Sequence, residues 1–316
     1  MPPPRYKTLE ASPQVFFMLS ILIPTYNHDV RPLLEELRQQ AEALCARQPD
    51  FDYEIIVLDD ASTLAHIRQL MKSLPASERL RLILSEANMG RSAARNRLID
   101  EARGQYLLFM DCDAMPTQGY VATHWADRTR ADVVCGALQN PPPPPPWGHE
   151  LRYRYEKQAE RKGKRTAKWR NRHPFEEFSV FNTLMSAEVT KRLRFDERIS
   201  EYGYEDVIFG RELQRMGFSV LHTDNAAIHT GINSNEDFLL NTEAAMRTLS
   251  RLDPKQQEGV TICKWARKMR SLRLSAMLVR IFTLVRPRLR NHLLGHRPSL
   301  WAFNFYKLGY YLQNNT

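Results

Sequence analysis

The sequence predicts an α/β protein with a mostly parallel sheet flanked by helices, followed by a helical, basic C-terminal region. Three observations predict it. From residue 18 short apolar runs alternate with amphipathic stretches, the pattern of strands and helices layered on a parallel sheet. Three of those runs stop at polar residues, Thr25 to Asn27, Asp59-Asp60 and Asp111 to Asp113, at the strand ends where open α/β sheets bind ligands. Finally, residues 251–316 hold 13 basic and 2 acidic side chains against 32 and 34 in residues 1–250.

The elements follow in order. Residues 19–23 read as the first strand, and residues 32–46 as a helix with Leu33, Leu34, Leu37, Ala41 and Leu44 at helical spacing. A β-rich run over 54–58, a helix over 67–74, a strand over 80–84, a helix over 92–102 and a strand over 106–110 complete the first half. Residues 133–138 are another strand, running into the extended segment Pro141 to Pro146. The basic stretch 151–172 reads either as a solvated helix or loop or as a contact for an anionic ligand. Helices are expected over 182–193 and 207–216, with Gly217 as a stop, and short strands over 218–222 and 226–229. Ile262, Trp265, Met269, Leu272 and Ala276 recur at steps of three and four, placing an apolar face on a basic helix. That face either packs on the body or meets a membrane surface.

Composition narrows the class. With 316 residues and 43% hydrophobic content the chain can bury a large core, which excludes a disordered protein. The body is near neutral and the positive excess sits in the tail. This argues against nucleic acid as a partner and for a soluble body held near something anionic. The apolar run before Pro24 falls short of the ~20 residues a spanning helix needs and lacks a small-residue cleavage site, while Arg280 and Lys307 interrupt the later candidates. Cys45, Cys112, Cys135 and Cys263 have neither metal-ligand spacing nor disulfide-scaffold density. The expected location is cytoplasmic, peripheral on the inner face of the cell membrane.

The triplet Asp111-Cys112-Asp113 closes an apolar strand. Side chains alternate along a strand, so its two carboxylates point roughly the same way, and hard oxygen ligands suit a divalent cation bridging a diphosphate. Together with Ser20 to Asn27, Ile55 to Ser62, Asn88-Met89-Gly90-Arg91 with Ala94-Arg95-Asn96, and Tyr202-Gly203-Tyr204-Glu205-Asp206, the triplet resembles family 2 glycosyltransferases of the GT-A fold. The resemblance covers roughly residues 18–235, extends loosely through His229-Thr230-Gly231 to a helix over 236–252, and rests on five motifs in order. It points to members that build bacterial surface polysaccharides.

The resemblance implies a GT-A-like, Rossmann-type domain over 18–235, with a donor half to about residue 140 and an acceptor half from about 147. Residues 1–17 would be an extension and 236–316 the basic helical region. It implies a metal-dependent hexosyl- or N-acetylhexosaminyltransferase that inverts the anomeric centre, with a nucleotide-sugar donor and a glycan or lipid-linked acceptor. Pro24, Tyr26 and Asp60 would hold the base, and a carboxylate accepts the imide N–H that uracil has and cytosine lacks, favouring a UDP-sugar. Asp59 or Asp60 could instead cap the following helix. Arg91 would contact donor phosphate or ribose, Asp111 the ribose or metal-bound water, and Asp113 with His229 would hold Mn²⁺ or Mg²⁺. Asp206 would be the general base, which also fits an acidic helix N-terminus. Glu205, Gly203 and Tyr204 would bind acceptor, and Tyr202 or Phe181 could stack on sugar, with core packing the plainer role for Phe181.

Cys112 and the proline run depart from the family pattern, and the latter reads only as a stiff spacer. A nucleotidyltransferase is the competing enzyme, but it would carry a glycine-rich loop after the first strand, and Pro24-Thr25-Tyr26-Asn27 has no glycine. A catalytically silent, membrane-associated interaction module would have lost carboxylates that are present here.

Overall fold

A computed structural model of the chain describes residues 17–75, 77–199 and 203–315. Tyr202 and all of the expected N-terminal extension except Phe17 lie outside them. In chain order the elements are β1 (Phe17–Thr25), α1 (Arg31–Cys45), β2 (Phe51–Asp59), α2 (Ala65–Ser73), β3 (Leu80–Leu84), α3 (Arg91–Glu101), β4 (Tyr106–Met110), β5 (Ala114–Pro116), α4 (Tyr120–Asp127), β6 (Val133–Gln139), α5 (Glu150–Arg161), α6 (Ala167–Arg170), β7 (Asn182–Ser186), α7 (Ala187–Arg192), α8 (Glu205–Arg215), β8 (Val220–His229), α9 (Asn235–Arg251), α10 (Thr261–Ser271), α11 (Ser275–Leu294) and α12 (Leu300–Gln313). The strands form one sheet in the order β3-β2-β1-β4-β7-β6-β8-β5.

The first half is parallel because α1, α2 and α3 carry the chain back between successive strands. β2 and β3 extend the sheet on one side of β1, and β4 joins on the other side. The order therefore reverses between β1 and β4, opening a crevice at their C-terminal ends. The second half is mixed: β7 runs antiparallel to both β4 and β6, β6 and β8 are parallel, and β5 is antiparallel to β8.

Both faces of the sheet are covered, which explains why its strands read as continuous apolar runs. Ile21, Ile23 and Val57 pack against Leu33, Leu37 and Ala41 of α1 on one face. Leu22, Ile56 and Leu58 share the other face with Leu98 of α3 and Phe209 of α8. A third apolar cluster joins α9 to α12 and takes in Leu151 of α5 as well.

Four expectations change. Residues 182–193 are a strand followed by a short helix, because residues 182–186 pair with β4 and β6, and a short run buried on both faces looks the same in either state. β8 is one strand rather than two, with Asp224 accepting the Ala167 backbone N–H. The basic stretch 151–172 is not simply solvated, since Leu151, Tyr153 and Glu156 of α5 are buried. The stripe from Ile262 to Ala276 is broken after Ser271, where Arg273 takes a left-handed conformation. α10 buries Cys263 and Ala266, while Trp265 on it and Leu272 just beyond it are half exposed. β5 and α4 are additions to the elements expected from the sequence.

A candidate active site at the strand ends

A cleft of about 460 Å³ lies where β1 and β4 diverge, and it gathers Pro24, Tyr26, Asp60, Arg91, Asp111, Asp113 and Glu205. A larger groove of about 1140 Å³ opens beside α1, β2 and β3, around Tyr53, Arg79 and Arg81, and contains none of the expected site residues.

The side expected to hold the nucleotide is built from the ends of β1 and β2, where Thr25 registers with Asp59. Asp59 takes the local turn role: its Oδ1 accepts from the Ser62 backbone N–H at 3.2 Å and from the Ser62 hydroxyl at 2.5 Å. Asp60 ties β2 to the loop before α3, accepting the Met89 N–H at 2.8 Å and the Gly90 N–H at 3.0 Å. A carboxylate offers about four acceptor positions, so these two bonds leave others for a ligand. Arg91 begins α3, whose free N–H groups favour anions.

At the end of β4, Asp113 Oδ2 lies 3.3 Å from His229 Nε2 at the end of β8. Adjacent ligands of an octahedral ion with bonds of about 2.1 Å lie about 3 Å apart, so the pair has the spacing and donor chemistry for a divalent cation. Among the described residues no cluster of three or more His, Cys, Asp or Glu side chains stands ready for a metal. With two protein ligands, an ion held here would have to take its remaining ligands from water or from the oxygens of a bound ligand. Asp113 is further framed by Gly231, where a Cβ would come within 2.4 Å of the Asp113 side chain. Burial pushes the Cys112 thiol, with Asp113 and Asp111 beside it, up to about 12.

Glu156 is the residue that sequence reasoning missed here. It is 1% exposed on α5, its Oε1 sits 3.2 Å from His229 Nδ1, and Arg152 braces it at 2.5 Å. A carboxylate behind the imidazole fixes which nitrogen faces the site. Burial works against the charged forms, but the mutual contacts win: Glu156 is held down to about 2, and His229, between Asp113 and Glu156, is raised to about 9. Within a run dominated by Arg and Lys, one glutamate carries no signal in the sequence.

The residues expected on the acceptor side lie at the N-terminus of α8. Glu205 lines the cleft, 3.7 Å from Arg91 and 3.6 Å from Arg95. Asp206 stands one step behind it, with Oδ2 accepting from the Ser179 hydroxyl at 3.0 Å and the Val180 N–H at 3.2 Å. Burial, opposed by Arg95 and reinforced by Glu205 and Asp111, pushes the Asp206 carboxyl up to about 6, inside the range of a useful general base. Gly203 and Tyr204 face elsewhere. A Cβ on Gly203 would meet Ala245 of α9 at 2.8 Å, and Tyr204 packs against the C-terminal apolar cluster, so both join α8 to the helical region. Phe181 is 8% exposed and packs edge-on to His229.

The family profile "Glycosyl transferase family 2" matches residues 20–189. An uncharacterized glycosyltransferase of Haemophilus influenzae is 31% identical over 96 residues, 30% of this chain and 36% of that protein. The dolichyl-phosphate beta-glucosyltransferase of Drosophila melanogaster is 32% identical over 137 residues, 42% of this chain and 39% of its own. Bacillus subtilis TuaG, named for teichuronic acid biosynthesis, is 29% identical over 96 residues, 30% of this chain and 36% of its own. The matched segments thus span little more than a third of these relatives. Staphylococcus aureus TarS 1-349 in complex with UDP-GlcNAc superposes with a TM-score of 0.46 at 16% identity, covering 94% of this chain and 90% of that one.

Proposed function

Because the chain belongs to glycosyl transferase family 2, we propose that it moves a hexosyl or N-acetylhexosaminyl group from a UDP-sugar to a hydroxyl of a glycan or lipid-linked acceptor, inverting the anomeric centre, in cell-surface polysaccharide synthesis. One observation carries the reading: Pro24, Tyr26, Asp60, Asp111 and Asp113 meet Glu205 in one cleft at the sheet's switch point. The name of the TuaG relative supports the polysaccharide setting.

In this reading Tyr26 and Asp60 hold the uracil, Arg91 and the α3 N-terminus take the diphosphate, and Asp111 takes the ribose. Asp113 and His229 would hold Mn²⁺ or Mg²⁺, which when bound neutralises charge on the leaving diphosphate. Glu156 keeps His229 oriented toward that position. Asp206 takes the proton of the attacking hydroxyl as the new bond forms, which a single displacement requires of a carboxylate on the acceptor side. Glu205 binds the acceptor. A second reading exchanges Glu205 and Asp206, favoured by Glu205 lining the cleft while Asp206 Oδ2 is held by Ser179 and Val180.

Calorimetric titration tests the donor side. UDP is expected to bind more tightly than CDP, with the difference narrowing in Asp60→Asn; equal binding of UDP and CDP by the unaltered chain would remove Asp60 from base recognition.

The division into a glycosyltransferase domain over 18–235 and a basic region over 236–316 is part of the proposal, as is peripheral attachment of that region to an anionic membrane. No helix among the described residues is long and apolar enough to cross a membrane. Attachment is supported by α11, which exposes Met277, Ile281 and Leu284 at helical spacing beside exposed Arg280 and Arg288, with Trp265, Leu272 and Trp301 also exposed nearby in sequence. Basic residues near an anionic surface contribute about 1 kcal/mol each. The chain should therefore co-sediment with phosphatidylglycerol vesicles at low salt, less so at high salt, and less in Ile281→Ser/Leu284→Ser. Equal sedimentation of both forms would leave these helices a structural brace.

A further inference from the structure

Arg95 is 3% exposed and lies among three carboxylates, yet its hydrogen-bonding capacity is only partly used. Its Nη2 donates to Asp111 Oδ1 at 3.1 Å, while Nη1 lies 3.6 Å from Glu205 and 3.9 Å from Asp206 Oδ1, too far for a hydrogen bond. Nη1 is enclosed without a hydrogen-bond partner, and so is Asp206 Oδ1. An enclosed donor and an enclosed acceptor left unpaired are rare and call for a reason. Here the two orphans face each other, and an approach of about 1 Å would join them.

We propose that Arg95 is a positioning residue that links the two sides of the reaction: anchored by Asp111 on the donor side, it holds the acceptor-side base Asp206 ionised and in place. The proposal rests on the reading of Asp206 as the base. The support is rigid. Asn96, the next residue, bonds both the carbonyl and the N–H of Phe195, and the Phe195 ring lies 5.6 Å from the Arg95 guanidinium carbon. Asp206 meets Ser179 and Val180 from the segment before β7, Glu205 on its own helix, Asp111 at the end of β4 and Arg95 on α3. Glu205 and Asp111 both oppose its ionisation, with Arg91 lying beyond Glu205 at 3.7 Å. Arg95 is the cation that opposes them. A disturbance of Asp111, bound donor included, therefore reaches Asp206 through the Arg95 guanidinium as well as by the charge of Asp111 itself.

The sign of the effect is fixed. Removing Arg95 takes away the largest influence lowering the Asp206 carboxyl, so the base should ionise only at higher pH. Arg95→Met and Arg95→Lys are compared with the unaltered chain in turnover at saturating donor between pH 5 and 9.5, with thermal unfolding as a control on folding. The acid limb should move up by about one unit or more in Arg95→Met, lowering turnover about tenfold near pH 5 and about twofold at pH 7, with recovery in alkali. Arg95→Lys, keeping the charge, should lie between. An unmoved acid limb in Arg95→Met would overturn the proposal, because a purely structural loss lowers the whole profile. If Arg95→Met does not fold, Arg95→Gln, which removes the charge and keeps a polar end, takes its place, and an unmoved acid limb there would overturn the proposal. Asp206→Asn separates the two claims: if that variant keeps turnover, the base reading fails, whereas an inactive Asp206→Asn with an unmoved Arg95→Met limb defeats Arg95 alone.

Discussion

Asp206→Asn is expected to lower turnover by about 10² to 10⁴, the range of general-base catalysis, while UDP affinity changes little. The amide keeps the size of the carboxylate and can still accept from Ser179 and Val180, but it cannot take a proton. Glu205→Gln should act mainly on acceptor KM. If instead Glu205→Gln loses turnover and Asp206→Asn keeps it, the two residues exchange roles. The same variant has a stability signature. Burial raises the Asp206 carboxyl from 3.8 to about 6, so its contribution favours folding fully below 3.8 and is lost as pH rises through 6. Asp206→Asn should therefore melt above the unaltered chain at pH 8, with the difference fading toward pH 4. A catalytic carboxylate kept at the expense of stability is a common compromise.

Asp113→Ala is expected to abolish transfer and to remove the Mn²⁺ dependence of donor binding. The fold should survive. The local structure is carried by the Asp113 backbone carbonyl, which accepts from the Thr230 N–H at 2.8 Å and from the Thr230 hydroxyl at 2.8 Å, and alanine keeps that carbonyl. Glu156→Ala should give a milder form of the same defect, with Mn²⁺ affinity reduced about 10- to 100-fold by the loss of imidazole orientation. Mn²⁺ binding followed by electron paramagnetic resonance in the presence of UDP reads both variants without relying on activity. Undiminished Mn²⁺ binding in Asp113→Ala would remove this residue from the metal site.

The parts of the site that were legible in the sequence are those at strand ends. Asp60, Asp111 and Asp113 follow apolar runs whose register with their neighbours is set by burial on both faces, so their convergence could be anticipated from order alone. The parts that were not legible come from long-range packing. Glu156 reaches His229 across 73 positions from a helix whose composition advertises only charge. Arg95 stood within a recognised motif, but its burial among Asp111, Glu205 and Asp206 depends on how α3 meets α8. Gly203 and Tyr204 show the converse. Their place beside Glu205 suggested acceptor binding, whereas their contacts lie with α9 and the C-terminal cluster. The strand over residues 182–186 was hidden for a physical reason too, since a central strand buried on both sides loses the alternation that marks one.

Nucleotide release from a panel of UDP-sugars, GDP-mannose and dTDP-sugars, measured with and without Mn²⁺ and compared with pyrophosphate release from nucleoside triphosphates, tests the central claim most directly. Release of UDP from a UDP-sugar, dependent on Mn²⁺ and lost in Asp113→Ala, is the expected result. Pyrophosphate release with no UDP formed would make the chain a nucleotidyltransferase and contradict the glycosyl-transfer account.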